Sequence, residues 1–179
     1  MESLFARASA VDVVECTLPS GRAVPLRRLA IRFGHASPDR LPEGSLPSTY
    51  TAKPLVTFHG AAMFGELAVL RWLEVDGWEG VWLDTTHARR CWREMPTRSD
   101  PVTLPAAAQR RYDAIVAANG GQASGTFDVM AWRGAHIIFV EYLDAHERMG
   151  RNAPRWIEAA LTAGVSPNDL LLVCAPHER

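Results

Sequence analysis

Lysine is almost missing from this chain: of 19 basic residues only Lys53 is a lysine, and the rest are arginines. Arginine keeps its proton up to a pKa above about 12, so lysine-type acid–base chemistry has one candidate in the whole sequence. Cysteine is scarce too. Cys16, Cys91 and Cys174 are odd in number and show no CxxC spacing, which argues against a disulfide framework or a zinc site and for reduced thiols. No run approaches the roughly 18 apolar residues of a membrane span. Glu2 and Arg7 interrupt any apolar leader at the start, so the expectation is a cytoplasmic protein without a membrane partner. Net charge is also lacking: at −1 the chain has no bulk attraction for a polyanion, and a nucleic-acid site must be a local patch. Internal repeats and low-complexity tracts are absent.

What is present suits one hydrophobic core, since 179 residues can bury a full one. Residues 11–33 read as a β-hairpin, with alternation over Val11–Thr17, a turn at Pro19-Ser20-Gly21 and an extended run over Ala23–Phe33. Arg27, Arg28 and Arg32 on that run could face phosphates, although solvated strand positions explain them as well. Four prolines between residues 34 and 54 mark a loop. The 3.6-residue apolar period predicts a helix over Ala61–Val75, stopped by Gly77, with Glu66 on it. A strand follows at Val81–Asp84. Residues 85–105 look irregular and interleave His87, Arg89, Arg90, Arg93 and Arg98 with Trp92. That mixture suits a nucleic-acid backbone and a stacked base, or simply a solvated loop with one core tryptophan. Helices are expected at Ala106–Ala118, closed by Asn119-Gly120-Gly121, and at Ala153–Ala163 behind Pro154. The run Asp169–Ala175 reads as a buried strand.

The chemistry-bearing stretch is residues 125–156. Thr126–Trp132 and His136–Tyr142 read as two strands turned at Arg133-Gly134-Ala135. Asp128 lies about six residues before Gly134 and Glu141 about seven after it, so the two acids fall opposite each other, where facing side chains are about 5 Å apart. Carboxylates that close repel unless a proton or cation lies between them. A hard divalent ion such as Mg²⁺ is the usual choice. Asp144, His146 and His136, with Asp128, offer a second O/N set suited to Mn²⁺ or Zn²⁺.

The succession from residue 61 is helix, strand, insert, strand, strand, helix, strand. With Glu66, Gly125-Thr126-Phe127-Asp128, Phe139-Val140-Glu141 and the run Arg155–Leu161, it resembles the PD-(D/E)XK nuclease superfamily, in particular its small VRR-NUC-like members. The resemblance covers roughly residues 60–175. It implies an α/β fold: a restriction-endonuclease-like core with a central mixed sheet flanked by helices, carrying an N-terminal β-hairpin extension. The implied organisation is residues 1–54 as hairpin and Pro-rich loop, and 55–179 as the nuclease-like domain. It further implies that Asp128 and Glu141 ligate Mg²⁺ or Mn²⁺, with Glu66 as a third acid, and that the protein hydrolyses DNA phosphodiesters. RNA is the alternative substrate, and a homodimer is compatible with the pattern.

Two positions depart from the family pattern. Leu143 stands where the family has its lysine, two residues after the second acid, and Asn152-Ala153-Pro154 replaces its usual glutamine. Leucine neither donates a hydrogen bond nor carries charge, so Arg148, Arg151 or Arg155 would have to supply the charge. Impaired catalysis is one consequence. The competing expectation is a catalytically inactive nuclease-fold module that binds nucleic acid or a protein partner.

Overall fold

Strand Leu170–Cys174 (β10) has nearly every side chain buried, because it lies inside a sheet covered on both faces. The computed structural model describes residues 1–41, 53–85, 90–96, 102–144 and 148–175. The sheet around β10 has seven strands. Ala10–Thr17 (β1) and Ala23–Ala30 (β2) form the N-terminal hairpin, and β2 runs parallel to β10. On its other side β10 runs parallel to His136–Leu143 (β9), which pairs antiparallel with Val129–Arg133 (β8). Glu79–Asp84 (β6) and Arg90–Trp92 (β7) complete the order β1-β2-β10-β9-β8-β6-β7. β2 is thus hydrogen-bonded to β10 across the boundary expected at residue 54.

The period-two pattern splits the strands between two cores. Val129, Ala131, Ile138, Val140, Leu171 and Val173 pack beneath helix Gly65–Val75 (α2). Met130, Phe139, Leu170 and Leu172 face the other way, against helices Ala106–Ala118 (α3) and Ala153–Thr162 (α4). Each fully buried aliphatic side chain contributes about 1.5–3 kcal/mol, so β10 and β9 anchor both layers. Trp156 of α4 fixes one of them, stacked on Phe127 at 4.9 Å and edge-on to Phe139 at 5.2 Å. The result is an α/β protein with a large mixed sheet flanked by helices.

Several local expectations change. Ala61–Phe64 is a strand (β5), not the first turn of a helix, and it pairs antiparallel with Leu55–Phe58 (β4). The hairpin between them is a two-residue turn, His59-Gly60, both at positive φ (47° and 85°), as such turns require. The run Ala-Ala-Met-Phe carries no period of its own, so extending the helical period back over it overreached. With Gly34–His35 (β3), these strands make a second, three-stranded sheet. β8 begins at Val129 rather than Thr126, because Thr126 turns its hydroxyl onto the Ala123 carbonyl at 2.6 Å. β7 lies within the stretch expected to be irregular, held by burial of Cys91 and Trp92 on opposite faces. A short helix, Glu2–Arg7 (α1), was not anticipated; the Asp76 carboxylate accepts the Ser3 N–H at 2.9 Å. Most of the Pro-rich loop lies outside the described residues.

Candidate functional site: an acid pair at the open end of a hairpin

β8 and β9 are joined at one end by Gly134-Ala135, where Arg133 pairs with His136. At the other end the register runs through Val129 and Val140, so the next residues out are Asp128 and Glu141. They meet as the spacing predicts. The Asp128 N–H donates to Glu141 Oε2 at 3.2 Å, and the Tyr142 N–H donates to Asp128 Oδ2 at 3.0 Å. Each carboxylate therefore accepts from the strand that carries the other. Asp128 sits just before β8, and its carbonyl accepts the Leu83 N–H at 2.6 Å, which ties it to β6 as well. Gly125 holds the approach to Asp128. It has φ +82°, and a Cβ there would overlap the Asn152 carbonyl at the start of α4.

Two unit charges about 5 Å apart repel by ~3 kcal/mol at an effective dielectric of about 20. One peptide hydrogen bond to a charged group returns roughly 1.5–3 kcal/mol. The two N–H donors thus offset much of the repulsion, and a divalent cation between the carboxylates would reverse its sign. Mg²⁺ is commonly held by one or two carboxylates together with water and substrate oxygens, so a pair of hard oxygen donors fits that ion.

Glu66 is held by a different contact. It occupies the first turn of α2, where the helix dipole favours an acid, and is only 4% exposed. A plain solvent-facing glutamate is therefore ruled out. Its carboxylate is ion-paired with Lys53, the residue that the sequence placed in a loop outside the core. The Lys53 ammonium lies 5.1 Å from the Trp82 ring centroid and 5.8 Å from that of Phe64, within cation–π range. Tyr142, between Glu141 and Leu143, packs in the core beneath α2, and its ring leaves no room for a Cβ on Gly65. By strand alternation Asp128 and Glu141 have the opposite parity to Val140 and Tyr142. Among the described residues no three His, Cys, Asp or Glu side chains come together as a metal-holding group. The structure brings Asp128 to Glu141, and Lys53 to Glu66.

The remaining candidates sort as follows. Leu143 is half-buried, and its carbonyl accepts the Ala175 N–H at 2.9 Å. Arg148 and Arg151 are exposed between β9 and α4. Arg155 is committed to α3, donating to the Asn119 carbonyl at 3.1 Å. His136 is bonded to Asp169 at 2.7 Å and packs edge-on against Trp78, at the opposite end of β9 from Asp128. The mixed O/N set therefore does not assemble around it; His146 lies outside the described residues, as do His87, Arg89 and Arg98. Trp92 is a core residue whose Nε1–H points to Asp84 at 3.4 Å, and Arg93 is tied to Glu74 at 3.1 Å. Arg27 reaches the Asn168 carbonyl and Arg28 the Asp12 carboxylate, so these two do intramolecular work, while Arg32 is exposed beyond the end of β2. Burial pushes the Cys91 thiol up to about 11 and raises those of Cys16 and Cys174 also, leaving them protonated and weakly nucleophilic near neutrality.

Asp84 was missed by sequence reading. It ends β6 and is 3% exposed, one of few buried acids among the described residues. A charged residue closing an otherwise apolar strand beside the Asp128 strand was the available signal. No protein-family model matches this chain, and neither a curated protein nor a solved structure does.

Proposed function

We propose that the protein is a metal-dependent nuclease-like protein acting on DNA phosphodiesters, with Asp128 and Glu141 as its metal ligands. The observation that carries this reading is the cross-tying of the two acids, in which the Asp128 N–H donates to the Glu141 carboxylate and the N–H of Tyr142, next to Glu141, donates to the Asp128 carboxylate. Acids serving only solubility have no reason to be fixed in register on adjacent strands. The order α2, β6, β8, β9, α4, β10 also agrees with the restriction-endonuclease-like core that the sequence resembles.

When bound, the ion would lower the pKa of a water and polarise the phosphodiester. The chain's own part is to hold it. The Asp128 and Tyr142 peptide N–H groups orient the two carboxylates, and Gly125 lets the loop approach α4 closely enough to place Asp128. Arg148 and Arg151, exposed on the stretch after β9, would meet backbone phosphates, while Arg155 stays with α3.

A second reading, an inactive module that binds nucleic acid or a protein, is favoured by one specific pair of facts. Leu143 supplies no charge, and Lys53 already neutralises Glu66. Cleavage of linear, supercoiled and single-stranded DNA with Mg²⁺ or Mn²⁺ separates the readings. The nuclease reading expects cleavage by wild type and at least about a hundredfold loss in Asp128→Ala, since the ion's charge stabilisation is worth several kcal/mol. Wild-type silence, with activity gained in Leu143→Lys, would instead mark a scaffold that has been switched off.

A further inference from the structure

The seven-stranded sheet ends in two unlike edges. β7 is three residues long, and short edges are a common way of discouraging strand addition. β1 is eight residues long and, among the described residues, pairs only with β2. Its sequence, AVDVVECT, contains no lysine, arginine or proline to blunt the edge, and its charged residues are the acids Asp12 and Glu15. Val11 is 53% exposed and Val13 61%, two of the four large apolar side chains left in solvent among the described residues. Being two apart, they share one face of the strand.

We propose that the β1 edge is a self-association surface, on which a second copy of this chain adds its own β1 antiparallel and joins the two sheets. The inference does not depend on the acid pair. An antiparallel seam centred on Asp12 sets Val11 of each copy beside Val13 of the other on one face of the joined sheet, which reduces the exposed apolar area. It also gives the outward N–H and C=O groups of both edges their partners. Charge permits the seam, since Glu15 falls beyond the two valines in that register. Asp12, on the opposite face, is compensated within each copy by Arg28, whose Nε donates to Oδ1 at 2.9 Å and whose second amine donates to Oδ2. At a net charge of −1 per chain, two copies do not repel appreciably.

Sedimentation equilibrium over a wide concentration series tests this, with amide hydrogen exchange read on β1. Wild type is expected to dimerise, with β1 amides protected as the dimer forms. Val13→Lys, a change at an exposed position, is expected to remain monomeric with an unaltered thermal melt. Wild type that stays monomeric at every concentration overturns the proposal and leaves the edge to a foreign strand. A dimer that survives Val13→Lys with unprotected β1 amides overturns it as well.

Discussion

The two ends of the β8–β9 hairpin are built from the same strands and treat charge in opposite ways. At the closed end Arg133 donates to the Asp76 carbonyl at 3.2 Å and His136 bonds Asp169 at 2.7 Å, so each polar side chain meets a group of complementary character. At the open end two acids are brought face to face, Glu141 accepting from the Asp128 N–H and Asp128 from the Tyr142 N–H. The closed end lowers its own electrostatic energy and asks for nothing further. The open end sets two hard oxygen donors side by side, an arrangement that a divalent cation between them would stabilise.

The largest way to break this contrast is to remove the floor of the open end. Trp156→Ala takes away the ring stacked on Phe127, the residue before Asp128, and should cost about 3–5 kcal/mol in urea unfolding. An intermediate effect should follow from Lys53→Met, which strands the Glu66 carboxylate in the core. The Lys53 side chain is partly solvated, so the expected loss is about 1–2 kcal/mol. Glu66→Gln added to Lys53→Met should recover most of it in thermal melts. No recovery would mean that Lys53 stabilises through its packing on Trp82 and not through charge. The smallest effect sharpens the comparison from the other side. His136→Ala should lower stability by less than about 1 kcal/mol, because its bond to Asp169 is solvent-exposed. That variant should leave any metal response intact, since His136 is at the far end of β9.

Much of this layout was legible in the sequence because it rests on local signals. Helix Ala106–Ala118 matches its predicted bounds, and the buried strand β10 followed from an uninterrupted apolar run. The meeting of Asp128 with Glu141 needed only a turn at Gly134 and counting outward. What failed needed long-range information. Ala61–Phe64 is a strand because Leu55–Phe58 lies beside it, and no property of its own four residues shows that. Lys53 was set aside as a loop residue because nothing in its neighbours reveals that it reaches Glu66, thirteen positions on. Burial of Asp84 depends likewise on β7 folding against β6, which brings Trp92 to it. Glu66 is expected as a third acid beside Asp128 and Glu141, and the contact that the structure shows for it is the ion pair with Lys53.

We propose that the open end of the hairpin is a divalent-cation site, and electron paramagnetic resonance titration with Mn²⁺ reads it without any need for substrate. Wild type should bind the ion, and both Asp128→Asn and Glu141→Gln should lose it while Glu66→Gln, whose carboxylate is paired with Lys53, keeps it. Wild type that leaves Mn²⁺ free in solution, or an Asp128→Asn variant that binds it as well as wild type, would contradict the claim.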